Sequence, residues 1–264
     1  MPTPKPKQDE LMNVQQQSQP LAMPRSGPVE GFENMGPEDV NQPRLMLAQS
    51  NTPQAKRKDA KYIQGLAEGM FFNSVTSQIY GEKVKLTPIM FFKSNLLFRD
   101  MDEGGGLLCR ANDAMHGVGD PGGLCAKCPK FMWADNEPPE CTAYFNYAAL
   151  VIPDKGPLSL ESLVIVSMKS TNLKLAKDWN SLMRLRQDER KQQLPMWRGI
   201  YTLQSEPRHE AQYSWHVAVP QNTGMHALGS PLGAICQDAY LTVRQMYAQR
   251  KLVVVIEEPT EEVI

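Results

Sequence analysis

Short stretches rich in β-forming residues, each bounded by turn residues, predict six strands along the chain. They cover residues 70–75, 84–92, 143–152, 158–168, 197–204 and 212–219. Gly81 gives the link between the first two strands hairpin character, and residues 153–156 are a turn between the third and the fourth. Pro88 cannot donate a hydrogen bond to a ladder, so it predicts an edge or a bulge in the second strand, which residues 96–98 could extend.

Helical spacing replaces the strand pattern at two places. After Ser170 or Thr171 as a cap, one side of a helix carries Leu175, Trp179, Leu182 and Arg186, and another side carries Lys174, Lys177, Ser181 and Arg184. The basic side fits either a solvated surface or a DNA contact. Ser230 and Pro231 begin a last helix that runs to about Arg250, with an inner face of Leu232, Ile235, Ala239, Val243 and Met246. Residues 252–256 could pair as an edge strand.

The order of these elements predicts a mainly β (α+β) fold. A strand, a long insertion, two strands, a helix and two more strands is the order of a five-stranded, OB-like Greek-key barrel. In this prediction the insertion, residues 103–142, joins strands one and two, the first helix lies between strands three and four, and the second helix follows the barrel. The insertion would then border the ligand face of the barrel.

Composition divides the chain into three parts. Residues 1–54 are rich in proline and glutamine without an apolar period and predict a disordered arm, in which the apolar residues 43–50 could dock on the body or on a partner. Residues 55–256 form the domain, and residues 257–264 form an acidic tail. The whole chain has a net charge of −1. Residues 1–54 carry −2 and the tail carries −4, so the domain between them carries +5. A basic domain with an acidic tail often accompanies nucleic-acid binding.

No apolar run is long enough to span a bilayer, and the polar amino-terminal segment lacks the apolar middle of a secretory signal. We therefore expect a cytoplasmic protein, where clustered cysteines are metal ligands more often than disulfides. The cluster of Lys56, Arg57, Lys58 and Lys61 is either a solubilising linker or a phosphate contact.

Four of the five cysteines lie in the glycine-rich insertion, at Cys109, Cys125, Cys128 and Cys141. The two residues between Cys125 and Cys128 let one tight turn present two thiolates to one ion, and the other two cysteines complete a tetrahedral set. This spacing predicts a structural Zn²⁺ without an open position for catalysis. His116 is an alternative ligand, a redox role for the Cys125–Cys128 pair is a weaker alternative, and Cys236 is expected to be a small buried apolar residue.

Catalytic signatures are missing from the sequence: it has no phosphate-binding loop, dinucleotide fingerprint, nucleophile elbow or zinc-protease motif. We therefore expect a protein that is not an enzyme. Aromatic residues on strands, next to basic residues, suit single-stranded nucleic acid, because bases stack on rings and phosphates attract cations. The candidates for stacking are Trp133, Tyr144 and Trp215, and the candidates for phosphate contact are Arg110, Lys127, Lys130 and Lys169.

These features resemble the single-stranded-DNA-binding proteins of tailed bacteriophages, in particular those with an OB-type barrel and a zinc-binding insertion. The resemblance covers about residues 60–264. It is carried by Cys109, the glycine-rich residues 112–123, Cys125 to Pro129, Cys141 with the aromatic strand after it, residues 169–171 leading to Trp179, and the glutamate-rich tail.

The resemblance implies sequence-independent binding of single-stranded DNA during phage DNA replication and recombination in the host cytoplasm. It also implies that the tail glutamates, Glu257, Glu258, Glu261 and Glu262, recruit replication proteins such as a polymerase, helicase or recombinase and compete with DNA for the groove. The alternative hypothesis is a zinc-stapled interaction protein of a phage replication, transcription or virion complex that binds DNA weakly.

Overall fold

The computed structural model describes residues 39–134, 137–156, 158, 160–227, 229–250 and 252. In this part of the chain, eleven strands and two helices follow in order. They are β1 (Leu45–Leu47), β2 (Phe71–Asn73), β3 (Ile79–Gly81), β4 (Lys83–Phe98), β5 (Leu107–Ala111), β6 (His116–Gly119), β7 (Gly123–Leu124), β8 (Thr142–Val151), β9 (Leu163–Lys169), α1 (Asn172–Arg184), β10 (Gly199–Glu210), β11 (Tyr213–Met225) and α2 (Pro231–Ala248). The predicted arm up to residue 38 and the acidic tail lie outside the described residues.

Strand β4, with 16 residues, is the centre of an eight-stranded antiparallel sheet. Strand β8 pairs along one edge of β4, from Leu86 to Leu96. The other edge pairs with β10 at the start of β4 and with β5 at its end. The sequence predicts either an edge or a bulge at Pro88, and the ladder to β8 has a bulge there, since its register shifts between Pro88 and Met90. A bulge lets an interior strand accommodate a residue that has no amide hydrogen.

The predicted five-stranded OB-like barrel is wrong. The large sheet runs β11-β10-β4-β5-β6-β7, with β8 on β4 and β9 on β8, and among the described strands no pairing of β9 with β11 closes it. The insertion also differs from the prediction, because β5, β6 and β7 extend the sheet instead of leaving it as a separate loop.

The physical reason is that the amino-terminal segment takes the edge of β9. Ile165 N donates to the carbonyl oxygen of Pro43 at 2.8 Å, and Arg44 forms a parallel bridge with Ile165. A few residues later the Gln49 side chain bonds the backbone of His216 on β11, at 2.9 Å from Gln49 Nε2 to His216 O and 2.8 Å from His216 N to Gln49 Oε1. The apolar residues 43–50 therefore dock on the body. Within them, β1 joins β2 and β3 in a three-stranded sheet.

The two helices pack on different clusters of the core. Helix α1 buries Ala176, Trp179 and Met183, and the Trp179 ring lies 4.4 Å from that of Tyr147 and 5.5 Å from that of Tyr201. Leu182, predicted on the same side of the helix as Trp179, is 48% exposed. Thr171 precedes the helix without a side-chain capping bond, and the predicted basic side is exposed to solvent.

Helix α2 begins as predicted: the Ser230 Oγ accepts from Gly233 N at 3.1 Å and Pro231 is the first helical residue. Its buried positions include Cys236, which confirms that this cysteine acts as a small core residue. Leu252 is buried in the same cluster, and the rest of the edge strand predicted at residues 252–256 lies outside the described residues. Neither described helix has the length and apolar content that a bilayer crossing requires.

We expect Trp179→Ala to lower the free energy of unfolding by about 3–5 kcal/mol, because it removes a fully buried ring between Tyr147 and Tyr201. Leu185→Ala, at a site that is 75% exposed just after α1, should change it by less than about 0.5 kcal/mol. Urea unfolding of both variants measures this difference. Equal stabilities would contradict the packing described for α1.

Candidate functional site

The insertion brings its four cysteines to one cavity. Cys109 lies on β5, opposite Leu97 of β4 and Gly119 of β6. Cys125 begins a short 3-10 turn, and Cys128 N closes that turn by donating to the carbonyl oxygen of Cys125 at 3.1 Å. Cys141 immediately precedes β8 and is held by a hydrogen bond from its amide to the carbonyl oxygen of Lys130 at 2.8 Å. All four line the same cavity.

The surroundings of these thiols are apolar and partly buried. All five cysteines of the chain are free, and Asn95, Leu97, Ala111 and Phe131 complete much of the cavity wall. Burial, together with the charges of Cys125, Cys109 and Cys128, raises the pKa of the Cys141 thiol to about 12. The four sulfurs are therefore close enough to repel each other when ionised, which is the electrostatic environment that a bound cation relieves.

The four thiols are not arranged with the geometry of a metal-binding site. Within the described ranges, no group of three or more histidine, cysteine, aspartate or glutamate side chains has an arrangement that could hold a metal ion. The donor chemistry still fits Zn²⁺, since four cysteine sulfurs share one cavity, but the sulfurs would have to draw together on binding.

His116, the alternative ligand, lies outside the cavity wall. Its Nδ1 is 2.8 Å from Asp113 Oδ2, and its side chain is largely exposed. Partial burial alone would raise the pKa of Asp113, but hydrogen bonds from the His116 backbone and side chain and from the Met115 amide lower it to about 2. The Asp113–His116 pair therefore shapes the turn between β5 and β6 and faces solvent.

Two glycines allow the close approach of β5 and β6. A Cβ at Gly117 would lie 2.8 Å from the Cys109 sulfur. Gly119 has a φ of +117°, and a Cβ there would collide with the carbonyl oxygen of Leu108. A side chain at either position would thus push the strand that carries Cys109 away from the cavity.

An aromatic and basic surface leads into the cavity along β4. Side chains alternate faces on a strand, so Phe91, Lys93, Asn95 and Leu97 share one face, and the last two line the cysteine cavity. Phe145 of β8 stands directly opposite Lys93. The rings of Phe91 and Phe145 are half-buried and 5.2 Å apart, and the Lys93 ammonium lies 5.0 Å from the centroid of the Phe145 ring. We call Phe91, Lys93 and Phe145 the aromatic surface.

The sequence did not single out this surface, although the signal was present. Phe145 belongs to the aromatic strand after Cys141, and the i, i+2 spacing of Phe91, Lys93 and Asn95 marks one face of β4. The sequence alone does not give the register of β4 with β8, which places Lys93 opposite Phe145.

The nucleic-acid contacts predicted from the sequence are distributed over several places. Tyr144 is 4% exposed, and Lys169 stands opposite it, on the sheet face that α2 covers. Arg110 stands opposite Leu96, also on that face. The aromatic surface therefore lies on the opposite side of the sheet from these three residues.

The other predicted contacts are in the insertion or far from it. Trp133 is 71% exposed and Lys127 is exposed, whereas the Lys130 ammonium pairs with the Glu140 carboxylate at 2.6 Å. Trp215 stands opposite Arg208 on the β10–β11 hairpin, past the end of β4 that is remote from the cysteines. Trp133 and Lys127 thus belong to the same region as the cysteine cavity, and Trp215 does not.

Comparison with known proteins identifies this β-sheet protein with its cysteine-rich extension as a bacteriophage protein. The family model described as Pam3 phage gp34-like protein matches residues 13–250, so the chain belongs to that family. No curated protein and no solved structure matches the chain. The expectation of a phage protein is confirmed.

We expect Gly119→Ala to destabilise the region around the cysteines by about 1–3 kcal/mol, because the methyl group adds a collision to a backbone conformation that alanine adopts poorly. Gly224→Ala is the matched control, since a Cβ there meets nothing within 4 Å, and it should change stability by less than about 0.5 kcal/mol. Thermal unfolding, with amide exchange of β5 and β6, measures both. Normal exchange protection of β5 and β6 in Gly119→Ala would contradict the tight pairing described here.

Proposed function

We propose that the protein binds single-stranded DNA without sequence preference during phage DNA replication or recombination. The observation that carries this proposal is the aromatic surface, on which two half-buried rings at the margin of the α1 core cluster and an exposed lysine share one strand face next to the cysteine cavity. The proposal does not depend on a closed barrel.

The chemistry of the aromatic surface suits a flexible single strand. Every base has a π-face, so stacking on Phe91 or Phe145 tolerates any sequence, and each stacked base contributes about 1–3 kcal/mol. The Lys93 ammonium beside the Phe145 ring is placed to attract a phosphate while the ring receives a base. Trp133 and Lys127 extend this chemistry into the insertion.

We propose a structural Zn²⁺ as the cofactor, held by Cys109, Cys125, Cys128 and Cys141. Bound zinc would neutralise thiolates that otherwise repel each other and would fix the two 3-10 turns against β5 and β8. The insertion has few large buried residues: among its described positions only Ala111 and Cys125 are buried apolar residues. Its shape therefore depends on something besides a hydrophobic core.

An interaction protein of a phage replication, transcription or virion complex is the second candidate function. The observation that favours it is the exposed Trp133, because large exposed aromatic residues are common at protein interfaces. This candidate predicts a stoichiometric protein partner that resists nuclease treatment, together with weak DNA binding. Recruitment of a polymerase, helicase or recombinase through the tail glutamates is compatible with either candidate.

For the DNA-binding proposal, we expect Phe145→Leu to weaken binding to a single-stranded oligonucleotide roughly tenfold, because leucine retains apolar packing but provides no ring for stacking. Phe92→Leu is the matched control, since Phe92 lies on the α2 face against Tyr247.

Lys93→Gln should reduce the slope of log affinity against log salt by about 0.7, because it removes one phosphate contact, whereas Lys85→Gln, at the other end of β4, should not. Fluorescence anisotropy at several salt concentrations measures these effects. Equal affinity for duplex and single strand, or none for either, would rule out the proposal.

For the cofactor, we expect one zinc per chain, and we expect Cys125→Ser or Cys128→Ser to lose the metal together with exchange protection of β5 to β7. Cys236→Ser is the control, because that thiol lies on the buried side of α2, away from the other four cysteines, and the substitution should leave the metal content unchanged. Elemental mass spectrometry gives the stoichiometry. A metal-free protein with full protection of the insertion in strong chelator would refute the zinc assignment.

A further inference from the structure

A buried histidine joins α2 to the central strand of the sheet. His226 directly follows β11 and is 3% exposed. Its Nε2 lies 2.8 Å from the Thr87 Oγ1 on β4 and 3.6 Å from the Cys236 Sγ on α2. Both partners are fully buried, so the imidazole makes these contacts inside the core. We call His226, Thr87 and Cys236 the buried histidine cluster.

The backbone of His226 is held beside a buried cation. The His226 amide donates to the carbonyl oxygen of Arg198 at 2.9 Å, and the Arg198 Nε donates to the carbonyl oxygen of His226 at 2.9 Å. Arg198 immediately precedes β10 and is 8% exposed. In the part of the chain that the structure describes, no carboxylate pairs with its guanidinium. A positive charge on the imidazole would therefore lie next to an arginine charge that no anion offsets.

The buried histidine cluster suits a neutral imidazole. A neutral ring can accept a hydrogen bond at Nε2 from a hydroxyl or a thiol, whereas both nitrogens of an imidazolium are donors. Burial, together with the charge of Arg198, holds the pKa of His226 below its ordinary value. Burial also raises the pKa of the Cys236 thiol to about 11, although a hydrogen bond with Thr87 lowers it. The thiol therefore stays uncharged, and neither α2 nor β4 supplies this ring with an anion.

We propose that protonation of His226 releases the amino-terminal turns of α2 from β4, so that the buried histidine cluster is an acid-sensitive switch for one face of the sheet. Cys236 lies in these turns, and the Cα of Gly233 points towards the Cβ of His226, since a Cβ at Gly233 would lie 3.9 Å from it. The release is local, because α1 packs on a separate cluster of the core with Trp179 at its centre. The inference requires neither DNA binding nor zinc.

The direction of the pH dependence follows from the two states of the ring. In a released segment the pKa of His226 is that of an ordinary histidine, about 6.5. In the closed cluster its pKa is lower, so the released form binds the proton more readily. The contact is therefore complete above about pH 6.5 and is lost as the pH falls from there towards the lower pKa of the closed cluster. A single proton increases the released population by at most about tenfold for each pH unit.

The accessibility of the Cys236 thiol in the full-length chain tests this switch. Dithiodipyridine reacts with thiols in mildly acidic solution, and mass spectrometry of the digested protein distinguishes Cys236 from the other four cysteines. The labelling rate of the folded chain is divided by that of the urea-unfolded chain at the same pH, which removes the intrinsic pH dependence of the reaction. This ratio should rise roughly tenfold between about pH 7.5 and pH 5.5.

Two variants assign the effect to one histidine. His226→Gln retains a side chain that can bond Thr87 but cannot titrate, so its ratio should be higher than that of the wild type at about pH 7.5 and should not change with pH. His209→Gln is the matched control, because His209 is exposed on β10, and it should follow the wild type.

Amide exchange of the wild type gives a readout that needs no variant. After correction for intrinsic exchange rates, residues 233–239 should lose protection by the same factor as the thiol, while β9 and α1 keep theirs. A labelling ratio independent of pH, or the same pH dependence in His226→Gln as in the wild type, would overturn the proposal. Loss of protection in α1 and β9 together with α2 would also overturn it, because the whole domain would then be unfolding.

Discussion

The hydrogen bonding of β4 along both of its edges is the constraint on which the rest of the structure depends. The strand pairs with β8 on one side and with β10 and then β5 on the other, so one extended segment positions most of the large sheet. Because side chains alternate along it, β4 also separates two environments. One face carries the aromatic surface and the cysteine cavity, and the other carries the α2 cluster. A register error of one residue in β4 would exchange these environments.

The sequence predicted local features well and long-range pairing poorly. The strands at β4, β8 and β9, the bulge at Pro88 and the Ser230 cap depend on residues close in sequence, and the structure has all of them. The predicted closure failed because the partner of the β9 edge is Pro43, whose hydrogen bond with Ile165 joins residues far apart in the chain. The spacing of apolar residues along the chain does not indicate which distant segment pairs with an edge strand. The strand predicted at residues 197–204 also ends too early, because β10 continues to Glu210, two residues before β11 begins at Tyr213.

For the site, cysteine spacing predicted which thiols share a cavity, since two of them lie on one tight turn and the other two flank the insertion. Cysteine spacing could not predict on which side of the sheet the aromatic residues near the cysteines lie. Tyr144 and Phe145 are adjacent and both aromatic. Tyr144 is nevertheless buried on the sheet face that carries α2, whereas Phe145 lies beside Lys93 on the opposite face. The choice between them depends on the register of β8 with β4, which only the assembled sheet fixes.

The contacts of the amino-terminal segment have a consequence for how the chain folds. Hairpins such as β8–β9 and β10–β11 form between neighbouring segments, whereas the Gln49–His216 bonds join positions 167 residues apart. Closing so large a loop costs more chain entropy than closing a hairpin, so these contacts should form late, after β9 and β11 exist as templates. Until then the edge of β9 is unpaired, and an unpaired edge can recruit a strand from another molecule. The segment at residues 43–49 thus gives the folded chain protection that a folding intermediate lacks.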